Sequence, residues 1–157
     1  MSMRDQYPPK SDARDAVPSW VSDVLKDVPA IIGDETQSEL LVQQAKLIGN
    51  KIKNDVTSSQ VRNIFGPVRQ VQLRWRETTP QDEAEKAFRQ VMLLRPKLAY
   101  QARRTNRAGF YSLEQILSTA IEEINKAKDL TQRYAHFRRF VEFFEAILAY
   151  HTAAGGK

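Results

Sequence analysis

The sequence predicts an all-α fold, a compact bundle of about five to six helices with a flexible N-terminal tail. Apolar residues recur at spacings of three and four along most of the chain, and side chains that favour helix starts precede several of these segments. No run of roughly four to eight β-branched residues alternates with polar ones, which is the pattern of a half-buried strand. The elements can therefore be assigned in chain order from apolar spacing and start signals.

The N-terminal segment, residues 1–34, lacks the apolar content of a folded domain. Its first part carries three prolines among scattered charges, so burial cannot offset the entropy lost on ordering. The apolar residues between Ser19 and Val28 are compatible with a short helix over this range, and Pro29 is expected to end it. The helical domain is accordingly predicted to span residues 35–157.

Two helices are predicted at the start of this domain. The first covers residues 38–53 and has apolar side chains at spacings of four and three: Leu41, Ala45, Ile48 and Ile52. The second begins at Thr57, whose hydroxyl can accept a hydrogen bond from the amide of Gln60 in a capping box. Pro67 lies inside this helix and predicts a kink, because it has no N–H to donate.

The third helix is expected to start with Thr79 as its cap and Pro80 in its first turn. Pro96 should break or bend this helix, with a short continuation to about Arg104. Residues 105–111 are predicted to form a loop.

The last two helices are the most apolar. One is predicted to begin at Ser112, with Gln115 three residues further on. The other runs from about Leu130 to Thr152 and carries large apolar residues around most of its circumference. Such a helix is the central member of a bundle, or it also packs on a second protein.

Basic residues are concentrated in the middle third of the chain. The formal net charge is +5, which divides into −2 for residues 1–55, +7 for residues 56–110 and zero for residues 111–157. A solvated helix surface usually mixes both signs, so this segregation indicates a polyanionic partner. Charge alone does not separate RNA from DNA or from an acidic protein.

Three arginines recur every seven residues along the second helix: Arg62, Arg69 and Arg76. They drift by only about 20° per step, so they form one stripe about 21 Å long. That length suits several successive phosphates of a nucleic acid. The alternative is three solvated arginines that pair with acids from neighbouring segments.

A second basic cluster lies between Lys86 and Tyr111, where seven basic residues occur without an acid. The seven are Lys86, Arg89, Arg95, Lys97, Arg103, Arg104 and Arg107. Basic side chains neutralise phosphates, and an interleaved aromatic such as Tyr100 can stack on an unpaired base. Core packing is the alternative role for Tyr100. Nothing resembles an RNA-reading sheet, a GXXG loop or a zinc module, so specific base readout is not expected.

No catalytic site is predicted. The chain has no cysteine, and its two histidines, His136 and His151, are separated by more than about 20 Å on one helix, too far to share a metal. No nucleophile elbow or phosphate loop is present. The polar start is unlike a signal peptide, and no apolar stretch approaches the roughly 20 residues of a membrane span. We therefore expect a soluble, cytoplasmic protein that is not an enzyme, has no metal or cofactor and does not contact a membrane.

Three segments carry a family resemblance. They read VTSSQVRNIFGPVRQVQ (56–72), LLRPKLAYQARR (93–104) and RRFVEFFEAILAYHTAAGGK (138–157). In this order and at this spacing they resemble the small subunit of the type III-A CRISPR (Csm) effector complex. The resemblance covers about residues 35–157, and its most distinctive part is the C-terminal segment.

The resemblance implies a non-catalytic subunit of an antiviral ribonucleoprotein. Small subunits of this family are helical bundles that stack head-to-tail in several copies beside RAMP-type backbone subunits, which hold the guide RNA. They line the channel for the target RNA and help to position the guide–target duplex. Cleavage of target RNA belongs to the backbone subunits, and DNA cleavage and cyclic oligoadenylate synthesis belong to the large signature subunit.

The predicted RNA-binding residues come from the two basic regions. The family segments support four of them position by position: Arg62, Lys97, Arg103 and Arg104. The charge pattern alone supports Arg69 and Arg107, and also Arg76 as the third arginine of the stripe, which is not among the six predicted RNA-binding residues. Phe143 and Tyr150 on the last helix are the candidates for contact with further copies of the chain.

Two other functions compete with this interpretation. One is a helical adaptor whose basic patch binds an acidic protein, and the other is a small hydrolase. The adaptor differs from an RNA-binding subunit in its ligand and in its salt response, since RNA binding weakens steeply with salt. The hydrolase requires clustered titratable groups, which this sequence lacks.

Overall fold

The computed structural model describes residues 17–157, which form six α-helices and contain no strand. The helices are α1 (Ser19–Gly33), α2 (Ser38–Ile52), α3 (Ser58–Arg74), α4 (Gln81–Thr105), α5 (Ala108–Lys126) and α6 (Leu130–Ala153). The predicted all-α bundle of five to six helices is thus confirmed. The predicted tail lies for the most part in residues 1–16, outside the described residues.

Two helices, α5 and α6, form the centre of the bundle. α5 packs mainly on α1 and α4, α6 packs mainly on α2 and α3, and the two central helices contact each other. The core around α6 is aromatic, with ring pairs that link Trp75 to Phe137 and Phe65 to Phe144. The apolar circumference of α6 is therefore used within the chain, as expected for the central member of a bundle.

α1 belongs to the same core, and its predicted end at Pro29 is wrong. The helix continues to Gly33, and the side chains of Ile31 and Ile32 beyond the proline are buried. Burying two such residues is worth roughly 1.5–3 kcal/mol each, which offsets the roughly 3 kcal/mol that a proline costs inside a helix. The predicted domain boundary between residues 34 and 35 therefore lies between α1 and the other five helices, with which α1 shares one core.

α4 likewise continues through its internal proline. Pro96 was expected to break or bend the helix, but α4 is continuous from Gln81 to Thr105. Leu94 before the proline and Leu98 after it are both buried, so the core fixes the two halves together. Thr79 does not cap α4. Its Oγ1 accepts a hydrogen bond from the Arg76 amide at 2.8 Å, within the turn that follows α3.

The capping box at the start of α3 is confirmed, whereas the predicted start of α5 at Ser112 is wrong. Thr57 Oγ1 accepts from the Gln60 amide at 3.1 Å, and the Thr57 amide donates to Gln60 Oε1 at 2.9 Å. α5 begins four residues before Ser112, which is buried and donates its hydroxyl to the Ala108 carbonyl. The loop predicted at 105–111 is therefore reduced to residues 106 and 107.

The N-terminus of α5 is capped from a distant part of the chain. Asp55 follows α2, and its carboxylate accepts a hydrogen bond from the Gly109 amide at 2.7 Å. A Cβ at residue 109 would stand 2.7 Å from the Asp55 Cβ, so the capping contact requires glycine there. A cap in this position also places a negative charge at the positive end of the helix dipole.

The C-terminal segment closes over a buried histidine. His151 is fully buried, and its Nε2 lies 2.6 Å from the Val56 carbonyl oxygen. The Gly156 backbone packs on the imidazole ring so closely that a Cβ there would overlap it, and Ser58 Oγ donates to the Gly156 carbonyl at 3.1 Å. The histidine and glycines of the distinctive C-terminal segment therefore serve packing.

Candidate nucleic-acid interface

All six predicted RNA-binding side chains lie at the surface, but on different sides of the bundle. They are Arg62, Arg69, Lys97, Arg103, Arg104 and Arg107. Exposure is the first requirement for contact with a phosphate chain, and none of the six fails it. Which of these side chains lie together depends on how the faces of α3 and α4 pack against the other helices.

The stripe on α3 is shorter than predicted and is partly paired. α3 ends at Arg74, so Arg76 lies beyond the helix and does not continue the stripe. Arg69 forms an ion pair with Glu145 of α6 at 3.1 Å. The alternative interpretation, arginines paired with acids from other segments, therefore holds for Arg69. Both partners are about half exposed, so the pair is weak and can be displaced by a ligand.

The opposite side of α3 faces α4 across an open groove. Pro67 lines this groove and stands two residues before Arg69, which is about 200° around a helix. Lys97 of α4 lines the same groove. The structure therefore does not bring the two predicted basic regions onto one face.

One face of α4 carries the strongest candidates. Lys97, Tyr100, Gln101 and Arg104 stand at positions i, i+3, i+4 and i+7, so they follow each other along one side of the helix. Tyr100 is 62% exposed, which excludes the core-packing role that the sequence left open. Arg103 is also exposed but stands about 100° away from Arg104 around the helix.

The sequence between Lys86 and Tyr111 contains no acid, but acids from other parts of the chain pair with two of its cations. Arg95 forms an ion pair with Glu122 of α5 at 2.7 Å and donates to Ser118 Oγ at 2.9 Å. Lys86 pairs with Glu83 one turn earlier. Within residues 17–157, Lys97, Arg104 and Arg107 form no ion pair with a carboxylate, and neither does Arg62 of α3.

A basic cleft near the C-terminus was missed by the sequence analysis. Lys53, Arg107 and Lys157 line a cavity of about 340 Å³, together with Asp55 and Gln60. We call it the C-terminal cleft. Its three cations come from positions far apart in the chain, and only the closure of the C-terminal segment over His151 brings Lys157 to the other two. No local pattern in the sequence could have indicated this arrangement.

A mainly apolar groove lies between α3 and α4, beside these residues. We call it the α3–α4 groove. It has a volume of about 400 Å³ and a floor of apolar side chains from α3, α4 and α6, among them Ile64, Leu98 and Phe144. Gln60 lines both the groove and the C-terminal cleft, so the two openings adjoin. Lys97 thus lines one of two adjoining openings, and Lys157 lines the other.

The two proposed subunit-contact residues have different surroundings. Phe143 has no exposed surface, because it packs inside the bundle, and its assignment to a subunit interface stays a prediction. Tyr150 is half-buried against the core and keeps part of its surface. Large exposed apolar side chains are found instead at Val42, Leu73 and Leu93.

The part of the chain that the structure describes contains no group of three histidine, cysteine or acidic side chains that could hold a metal ion. None of its six helices combines the length and the apolar character that crossing a membrane requires.

Comparison with known proteins gives one match. Neither the curated proteins nor the solved structures contain a match to the chain. The match is to the family model described as Csm2 Type III-A, and it covers residues 35–157, from the turn before α2 to the C-terminus. The chain therefore belongs to the Csm2 Type III-A family and is a small subunit of a type III-A CRISPR complex.

Proposed function

We propose that this subunit is non-catalytic, acts in the cytoplasm and stacks in several copies within the complex, where it contacts the target RNA and the guide–target duplex. Its further partners are the RAMP-type backbone subunits, the large signature subunit and other copies of itself. The observation that carries the proposal is the exposed basic surface formed by Lys97, Arg104 and Arg107, none of which pairs with a carboxylate in the described chain.

The energetics of such a surface favour a polyanion. An unpaired surface cation loses little solvation when a phosphate approaches, and each phosphate neutralised releases condensed counterions. Arg95, by contrast, is already held by Glu122, so it has less to gain from a phosphate. Arg103 is exposed on a neighbouring side of α4, and we include it as a contact that a bound RNA can reach.

The experiment compares complexes assembled with two triple variants. Lys97→Ala/Arg104→Ala/Arg107→Ala removes the basic surface, and Lys26→Ala/Lys46→Ala/Lys128→Ala removes the same charge from exposed positions elsewhere. We expect the first variant to bind target RNA more weakly. Its logarithmic salt dependence should also fall by about 0.7–0.9 for each phosphate contact removed per copy. The control should retain both the affinity and the slope.

A double variant tests the separated stripe. Arg62→Ala/Arg69→Ala should weaken RNA binding less than the Lys97/Arg104/Arg107 triple variant, because Arg69 is already paired with Glu145. Equal RNA affinity and equal salt dependence in all variants would refute the RNA-binding role. Loss of a protein partner at unchanged RNA affinity would instead support the adaptor function.

A further inference from the structure

The α3–α4 groove is placed to receive more than a phosphate chain. Its volume of about 400 Å³ falls within the range of small-molecule sites, and its walls are mainly apolar. Among the described residues 17–157, none that lines it is acidic, while Lys97 stands at its rim. An anionic ligand with an apolar, planar part satisfies both properties.

Tyr100 supplies a stacking surface at the same opening. Its ring is 62% exposed although it borders a groove in which apolar contacts are available. Lys97 lies three residues earlier on α4, so the two side chains are neighbours on one helix face. A cation next to an exposed aromatic ring matches the phosphate and the base of one nucleotide.

The rim carries polar groups that suit the edge of a base. Asn63 and Gln101 line the groove, and neither side chain makes a hydrogen bond within residues 17–157. Each amide offers two donors and an acceptor. Pro67 adds a hydrogen-bond acceptor to this rim, because it has no N–H to donate to the backbone carbonyl of Asn63, four residues before it.

We infer that the α3–α4 groove binds an unpaired nucleobase of the RNA, with Tyr100 stacked on the base and Lys97 at its phosphate. This inference rests on the proposed function and adds to it a base-binding site. The site accepts any base, because stacking does not depend on sequence and flexible amides can pair with several base edges. The occupant is thus RNA that has left the guide–target duplex at that point.

The first test uses the full chain and two small probes that differ only in the base. Adenosine 5′-monophosphate and ribose 5-phosphate are titrated while the methyl signals of Ile64, Val68 and Leu98 are followed by NMR. We expect the adenosine compound alone to shift these signals. Equal shifts with both probes, or shifts confined to residues outside the groove, would contradict base binding.

The second test uses the assembled complex and two kinds of target RNA. One carries a single nucleotide that cannot pair with the guide, placed at each position in turn, and the other carries an abasic residue at the same position. At positions that face the groove we expect the unpaired base to strengthen binding by about five- to a hundredfold, the effect of one stacked base. In Tyr100→Ser this ratio should fall to one, whereas Tyr100→Phe should keep it.

Two controls separate this site from the basic surface. Lys97→Ala should weaken binding of both RNAs by the same factor, because both retain the phosphate. Leu73→Ser removes an exposed apolar side chain that does not line the groove, and it should change nothing. If Tyr100→Ser leaves the ratio intact while the Lys97/Arg104/Arg107 triple variant weakens RNA binding, the base site is refuted and the proposed function stands. If Tyr100→Ser instead removes a subunit from the complex at unchanged RNA affinity, the groove holds a protein and the inference fails.

Discussion

The crossing of α2 with α6 and the face formed by α3 and α4 differ in how closely their helices approach. At the crossing, a Cβ on Gly49 would stand 2.6 Å from the backbone nitrogen of His151, so no side chain fits. Between α3 and α4 a groove of about 400 Å³ remains open, and a proline from each helix lines it. The comparison teaches that the most recognisable segment of the sequence serves packing, while the available surface lies in the less apolar middle of the chain.

The largest expected effect is at Phe143, which lies in the closely packed region. Phe143→Ala should lower the free energy of unfolding by about 3–5 kcal/mol, because it leaves a cavity where the side chain is fully buried. Urea denaturation measures the change. Tyr100→Ala is the matched control on the open face, and as an exposed substitution it should change stability by less than about 0.5 kcal/mol. A stable Phe143→Ala subunit that no longer associates with copies of itself would instead support the predicted interface role.

A change of opposite sign is expected at Pro96. Pro96→Ala should raise the free energy of unfolding by about 2 kcal/mol, because alanine restores a donor inside α4 and has a higher helix propensity. The same denaturation measurement applies. Pro80→Ala, at the N-cap of this helix, serves as control and should have little effect. Lower stability in Pro96→Ala would show that ring contacts in the groove outweigh the lost hydrogen bond.

Two glycines test the difference in helix approach directly. Gly49→Ala should lower the free energy of unfolding by about 1–2 kcal/mol, since overpacking against backbone outweighs the gain in helix propensity. Gly66→Ala in α3, where nothing lies within 4 Å of the added Cβ, should raise it by about 0.5–1 kcal/mol. Thermal denaturation of both variants gives the comparison. Two changes of the same sign would refute it.

The smallest effect concerns pH and the α5 side of α4. Burial raises the pKa of Glu114, and the nearby Arg95 partly offsets the rise. As pH increases through the interval between the ordinary glutamate pKa and this raised value, the unfolded state loses its proton first, so stability falls. Glu114→Gln should therefore gain thermal stability relative to the native chain above this interval, and the gain should vanish below it. Glu142→Gln, an exposed change of the same kind, is the control. A pH-independent difference would contradict the assignment to Glu114.

Local signals in the sequence were reliable where no tertiary contact competed with them. The capping box of Thr57 and Gln60 is present, and α2 and α6 begin where apolar spacing indicates. The signals failed where burial overrode them, as at Pro29, where buried isoleucines extend α1. They failed again at Ser112, because α5 is capped by Asp55. The Asp55 carboxylate accepts a hydrogen bond from the Gly109 amide, 54 residues away in the sequence.

The candidate site was only partly predictable for the same reason. The face that carries Lys97 and Arg104 follows from their spacing of seven residues on one helix. Whether a cation is paired does not follow from spacing, since Arg95 pairs with Glu122 on another helix while Lys97 pairs with no acid in the described part of the chain. The C-terminal cleft and the α3–α4 groove likewise exist only once distant segments have packed.

By itself the sequence determined the all-α class, the family and the side chains able to meet a phosphate, because helix periodicity and charge are properties of short segments. Only the tertiary structure decided that Phe143 is buried in the core and that Tyr100 is exposed. It also decided that the arginine stripe of α3 and the basic face of α4 do not share one face. Burial and pairing depend on contacts between residues far apart in the chain, and no local pattern specifies them.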